Sequence, residues 1–210
     1  GYFDNWTTDL ANWIDTPDGL AHLIAQVKPK LNGASPVGFP AVLGFKAETR
    51  ARIAEALGAA VFEIPTLTPS VPGLRLYHAL RRAILDRGGR FTVGPKVTGL
   101  ETKDGRVTGV FAPASNERVR VVPADAVILA TGGLFGGGLD SDYQGRVWET
   151  VANLHVAHVP PREQWFDQSL LSGQPQPIHR AGVVTDGEGR PLNAAGTLVA
   201  PNLYAAGRLL

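Results

Sequence analysis

Residues 119–138 read Val-Arg-Val-Val-Pro-Ala-Asp-Ala-Val-Ile-Leu-Ala-Thr-Gly-Gly-Leu-Phe-Gly-Gly-Gly. Within them, 126–130 is an unbroken apolar run. A short run of this kind predicts a strand buried on both faces of a sheet. It stops at Thr131-Gly132-Gly133. Small residues at a strand end let a flat or charged ligand come close to the backbone, and in open α/β sheets ligands bind just beyond such carboxyl ends. The bland alternative for the same residues is a strand end followed by a tight turn. The functional reading pictures a doubly covered central strand, with Gly132, Gly182 and Gly207 expected to converge on one cleft beyond it.

Working outward, Lys103-Asp104-Gly105 separates two strand-like stretches, 97–102 and 106–111, and Asp-Gly favours the tight hairpin turn that matches sheet twist. A third stretch, 117–122, completes a small antiparallel meander. Upstream, 74–87 reads as a helix with Leu76, Leu80, Ala83 and Ile84 on one face and Gly88-Gly89 as its stop. Residues 90–93 read as a strand. Nearer the start, Thr16-Pro17-Asp18 is a helix-start signal. Leu20, Leu23, Ile24 and Val27 follow at helical spacing. Residues 47–57 form another amphipathic helix closed by Gly58, and 2–15 a further one. Strands are read at 37–43, interrupted by Pro40, and at 60–64. Downstream, 136–177 is irregular, 185–190 is a hairpin turn, and 182–185 and 203–205 are short strands.

The 210 residues are 44% hydrophobic, enough for a sizeable core. Twenty basic residues face nineteen acidic ones, a formal charge of +1. That balance points away from nucleic acid as a partner. Cysteine is absent, which excludes disulfides and cysteine-held zinc or iron–sulfur centres within these residues. No apolar run reaches the roughly 18 residues a membrane span needs. Methionine is absent even at position 1, and the chain stops just after Ala205-Ala206-Gly207. A piece of a longer protein is therefore expected.

Two further stretches carry chemistry. The loop Pro65-Thr66-Leu67-Thr68-Pro69-Ser70-Val71-Pro72-Gly73 leads into the helix at 74. It is either a proline-stiffened loop with Ser70 or Gly73 near the cap, or a rigid platform for an anion or a ring edge. Gln176-Pro177-Ile178-His179-Arg180-Ala181-Gly182 places a histidine and an arginine before a strand. They are either solvated loop residues or a proton carrier and an anion ligand. His155 and His158 lack further ligands at metal spacing, so no metal site is expected.

The order helix, strand, meander, then a strand ending in glycine resembles the distal half of a doubly wound flavin-binding domain. More specifically, Glu63-Ile64-Pro65-Thr66-Leu67-Thr68-Pro69-Ser70-Val71-Pro72-Gly73-Leu74-Arg75-Leu76 resembles the loop-helix signature of one family, the B subunits of anaerobic glycerol-3-phosphate dehydrogenase. Four more stretches resemble that family. These are Ala130-Thr131-Gly132-Gly133 with Gly136-Gly137-Gly138-Leu139, Gly145-Arg146-Val147-Trp148-Glu149, Ala181-Gly182-Val183-Val184-Thr185-Asp186 through Arg190-Pro191-Leu192, and Asn202-Leu203-Tyr204-Ala205-Ala206-Gly207. The match runs in order over nearly the whole chain.

The resemblance implies an α/β fold: a partial doubly wound flavin-binding domain with a three-strand antiparallel meander and an inserted cap region. The Gly-x-Gly-x-x-Gly unit of the family is missing. It implies a cap or substrate-side region at 1–73, the distal flavin-binding domain at 74–135, a substrate-side loop region at 136–180 and a return to the flavin domain at 181–210. It implies a flavin, FMN before FAD, and oxidation of glycerol 3-phosphate to dihydroxyacetone phosphate, with electrons leaving through iron–sulfur centres toward quinone. Partners would be the catalytic subunit and the iron–sulfur membrane-anchoring subunit. The place would be the cytoplasm, peripheral at the inner face of the plasma membrane. Thr131, Gly132, Gly133, Gly182, Gly207 and Arg208 would line the flavin. Ser70, His179 and Arg180 would meet the ring edge or an anionic substrate. Arg208 departs from the acidic residue many related flavoproteins carry after the last glycine, so a different ribityl or phosphate contact is expected. The chain alone is expected to bind flavin poorly and to be inactive. The rival readings are a fumarate-reductase-like flavoprotein and a redox-silent assembly subunit.

Overall fold

The structure, a computed structural model, describes residues 6–66, 69–94, 96–113, 119–169 and 173–210. Leu67 and Thr68 of the proline loop, the start of the third meander strand and the first residues of the predicted amino-terminal helix lie outside the described residues. The chain divides into two compact units, Gly1–Thr92 and Val93–Leu210.

The first unit holds α1 (Thr7–Ile14), α2 (Pro17–Val27), β1 (Val37–Pro40), α3 (Thr49–Leu57), β2 (Val61–Ile64) and α4 (Val71–Asp86). Thr16 caps α2 as its sequence predicts: its Oγ1 accepts from the Gly19 N–H at 3.1 Å, and Pro17 takes the first helical position. β1 and β2 pair in parallel, Val37 opposite Val61 through Pro40 opposite Ile64, with α3 as the crossover between them. Pro40 ends β1, where the sequence reads an interruption within a longer strand; proline has no N–H to continue the ladder. Ile14, Phe39, Val42, Leu43, Ile53 and Leu57 form the core of this unit, flanked by Leu20, Leu23, Ile24 and Val27 of α2.

The apolar face of α4 stands largely exposed: Leu76 is 61% exposed and Leu80 56%. Helical spacing shows that a face is able to be buried, not that a partner is within reach. The helix is fixed at its start instead, by the Ser70 cap and by buried Val71. Residues 90–93 form no strand, since a strand exists only through a ladder partner, and these have none among the described residues.

The second unit holds β3 (Gly99–Lys103), β4 (Arg106–Pro113), β5 (Val119–Pro123), β6 (Val127–Leu129), β7 (Leu139–Ser141), β8 (Val147–Glu149), β9 (Val156–Ala157), β10 (Gly182–Val183) and β11 (Leu203–Ala205). β3, β4 and β5 form the expected antiparallel meander. Its first turn has Asp104 at φ +50° and Gly105 at φ +73°, the two left-handed residues a tight hairpin requires. β6 pairs in parallel with β11, Val127 opposite Leu203 through Ala205 opposite Leu129. The stretch read as irregular, 136–177, contains one small antiparallel pair, β7 with β8, and also β9, which pairs antiparallel with β10 in the expected strand at 182–185. The side chain of buried Asn202 joins meander to parallel pair. Its Oδ1 accepts from the Val107 N–H at 3.0 Å, and its Nδ2 donates to the carbonyls of Val107 and Asp125, each at 2.7 Å.

The doubly covered central strand is corrected by this arrangement. Val127 and Leu129 face the core, but Ile128 is 67% exposed, and β6 has β11 as its one neighbour among the described residues. A short apolar run reads alike whether both faces are covered or one; only the sheet around it decides. The architecture is a partial α/β fold of small sheets, with a core of Val107, Val127, Leu129, Leu139, Leu203 and Leu209 in the second unit.

Candidate functional site

Because β6 and β11 are parallel, their carboxyl ends open on the same side. After β6 the chain passes through Thr131-Gly132-Gly133 into a 3-10 turn, Leu134–Gly136. After β11 it passes through Ala206 into a second, Gly207–Leu209. A third, Pro177–Arg180, leads into β10. Together these turns bound a cleft of about 160 Å³ lined by Gly132, Gly133, Phe135, His179, Ala181 and Arg208, with Leu134, Gly136 and Ile178 completing its wall. Gly132 at φ +82° and Gly207 at φ +73° adopt left-handed backbone that a side chain would strain.

The turn carrying His179 is anchored from behind. Buried Ile178 donates its N–H to the Trp165 carbonyl at 3.1 Å, and buried Trp165 donates Nε1–H to the Pro160 carbonyl at 2.9 Å. Buried Gln176 accepts from the Asp167 N–H at 2.6 Å and donates to the Ser169 carbonyl at 3.2 Å. At the front, Phe135 is 82% exposed, and its ring meets His179 edge to face with centroids 5.7 Å apart.

Four of the residues picked from sequence therefore share the cleft lining: Gly132, Gly133, His179 and Arg208. Gly207 directly precedes Arg208, and a Cβ placed on it would meet only open space. Thr131 adjoins the lining, and its buried Oγ1 has no hydrogen-bond partner among the described residues. Gly182 stands behind the wall, pressed against the Leu210 backbone. Arg180 follows His179 but is not part of the lining. Ser70 belongs to the first unit, where its Oγ accepts from the Gly73 N–H at 3.2 Å and caps α4; its O–H remains a donor. Sequence reasoning missed Leu134, Phe135, Gly136, Ile178 and Ala181. Phe135 carried a signal, a large aromatic side chain standing among five glycines (132, 133, 136, 137 and 138). Ile178 and Ala181 carried none.

Among the described residues, no carboxylate lines the cleft, and neither Arg180 nor Arg208 has an acidic partner within 4.0 Å. Asp186, in the hairpin after β10, is committed to Arg190. The Arg190 N–H and guanidinium hold its carboxyl below the usual range, so the hairpin after β10 is an internally paired turn. The cleft offers bare backbone on one side, an orphaned hydroxyl beside it and a cation with no competing acid, a set of groups chemically suited to one part of a flat, anion-bearing ligand such as a flavin. No group of three or more potential metal ligands occurs among the described residues.

Comparison with known proteins gives the following. A family model described as FAD binding domain matches residues 8–210. A Halobacterium salinarum protein, named as the B subunit of a probable anaerobic glycerol-3-phosphate dehydrogenase, is 39% identical over 190 residues, 90% of this chain and 44% of the relative. A Yersinia pseudotuberculosis protein, named as the B subunit of an anaerobic glycerol-3-phosphate dehydrogenase, is 30% identical over 203 residues, 96% of this chain and 46% of the relative. A Pectobacterium atrosepticum protein of the same name is 31% identical over 203 residues, again 96% and 46%. The chain thus spans somewhat under half the length of these curated relatives. No solved structure matches.

Proposed function

Since the chain belongs to the FAD binding domain family, we propose that it is part of the B subunit of an anaerobic glycerol-3-phosphate dehydrogenase. That enzyme would oxidise glycerol 3-phosphate to dihydroxyacetone phosphate and pass electrons to quinone. The observation that carries the reading is the cleft at the carboxyl ends of β6 and β11, where Gly132, Gly133, His179 and Arg208 meet. The family description names FAD, and FMN, expected from resemblance, has no support in it. The proposed cofactor is accordingly a flavin, with FAD first.

In this reading the backbone of Gly132, Gly133 and Gly207 and the Thr131 hydroxyl hold the flavin, and Gly182 keeps the wall behind it closely packed. A bound flavin would supply the hydride acceptor. His179 takes the proton of the substrate's C2 hydroxyl as the hydride leaves. Arg180 pairs with the phosphate of glycerol 3-phosphate, a contact suited to a guanidinium. Ser70, in the substrate-side region 1–73, offers its hydroxyl to an anion; the further divisions in this reading are the flavin domain at 74–135 and 181–210 and the loop region at 136–180. Partner subunits carry electrons onward and tie the protein to the inner face of the plasma membrane. No helix among the described residues is long and apolar enough to cross a membrane.

The test is to purify the intact subunit, record its visible spectrum, identify the released nucleotide by mass, and add glycerol 3-phosphate without oxygen. The expected result is a flavin spectrum that bleaches with glycerol 3-phosphate in the assembled complex. Absence of flavin would overturn the reading in favour of a redox-silent assembly protein. Loss of colour with a carbon–carbon-bond substrate instead would favour a fumarate-reductase-like enzyme.

A further inference from the structure

We infer that Arg208 makes the cleft hold a reduced flavin more tightly than an oxidised one, and so raises the reduction potential of the bound group. The inference rests on the flavin reading above. Among the described residues, the lining contains one permanent positive charge, Arg208, and no carboxylate. No acid within 4.0 Å neutralises that charge among the described residues. His179, the other ionisable lining residue, adds positive charge or none. Glycine backbone, Leu134, Phe135 and Ile178 make up much of the remaining wall, and such surroundings screen a charge less than water does.

The consequence follows from charge balance. An alcohol that gives up a hydride and a hydroxyl proton becomes a carbonyl compound. The hydride carries two electrons and one proton to the flavin, which becomes one negative charge richer; the hydroxyl proton leaves to a base or to solvent. Arg208 attracts that added charge and gains little from the uncharged oxidised ring. The difference in affinity between the two states is the shift in potential. Arg208 is exposed, so solvent screens part of the effect. A ratio of about tenfold between reduced and oxidised affinities is expected, which is about 30 mV for a two-electron couple.

The test titrates the intact, flavin-loaded subunit with dithionite beside a reference dye, at fixed pH and salt. R208M is expected to lower the midpoint potential by about 30 mV. R208K keeps most of the wild-type value. R180M, whose residue lies outside the lining, shifts the potential less than R208M. R208Q serves in place of R208M if the latter does not fold. An unchanged potential in R208M or R208Q would overturn the inference. So would an equal drop in R180M, because bulk charge would then be the cause. A wild-type subunit that holds no flavin would instead overturn the functional reading on which the inference rests.

Discussion

Both carboxylate oxygens of Glu63 accept hydrogen bonds from Arg75, Nη1 to Oε2 at 2.6 Å and Nη2 to Oε1 at 2.8 Å. Arg75 also donates Nε–H to the Gly44 carbonyl at 2.6 Å, and Glu63 Oε1 accepts from the Leu43 N–H at 3.0 Å. One forked ion pair thus ties the end of β2 and the loop after β1 to the second turn of α4. It does what the uncovered apolar face of α4 does not. Charge-assisted bonds of this kind contribute about 2 kcal/mol when partly shielded. Glu63→Gln should lower the stability of the first unit by about that much. Arg75→Lys should cost nearly as much, because lysine cannot make the fork. Urea unfolding checks this, and midpoints equal to wild type would remove the pair from the account of the fold.

The same pair sets an acid limit. The Arg75 hydrogen bond, opposed by burial and aided by the Leu43 N–H, holds the Glu63 carboxyl below its usual range. A folded value lower than the unfolded one, about 4.3, gives stability that is fully present above the unfolded value. That stability is lost as pH falls through the folded one. The first unit should therefore keep its stability from neutrality to about pH 5 and lose it progressively in more acid solution. Glu63→Gln should flatten that loss. Denaturation curves between about pH 3 and 7 decide; an acid slope as steep in the variant as in wild type would assign the loss to other carboxylates.

Gly182 and Gly207 make opposite demands on space. A Cβ on Gly182 would collide with the Leu210 backbone, whereas one on Gly207 would meet nothing within 4 Å. Gly182→Ala should therefore force the end of the chain to move and cost about 2 kcal/mol or more. Gly207→Ala pays only for left-handed backbone, about 1 kcal/mol, and alters the turn that carries Arg208 into the cleft lining. Thermal unfolding and flavin content together separate the two. The expected pattern is a large Tm drop for Gly182→Ala, and a small Tm drop with weakened flavin binding for Gly207→Ala.

Much of this was legible in the residues. Thr16-Pro17, Asp104-Gly105 and Ser70 act locally, through caps and turns whose geometry needs only neighbours in sequence, and each does what its residue type predicts. Ile128 departs from the expected double burial because burial is a property of what lies opposite, and apolar spacing does not contain the opposite wall. Within the second unit the cleft lining was legible where glycine ends the strand, at Gly132 and Gly133. The part built by packing was not: Ile178 and Ala181 reach the cleft wall only because Trp165 is buried behind them.

His179 and Arg180 are adjacent in sequence but differ in position, and kinetics should separate them. His179 lines the cleft against Phe135, while Arg180, just outside the lining, has no acidic partner among the described residues. If His179 takes the hydroxyl proton, His179→Gln in the assembled enzyme should lower kcat by about a hundredfold and flatten the pH profile. KM should change little, because the lost interaction belongs to the transition state. If Arg180 holds the phosphate, Arg180→Ala should raise KM for glycerol 3-phosphate by at least about tenfold, the worth of one charge-assisted contact, while flavin content stays unchanged. Arg180→Lys should recover part of it. Wild-type turnover and KM in both variants would return the two residues to the solvated loop surface, and leave the glycine-lined cleft to act without them.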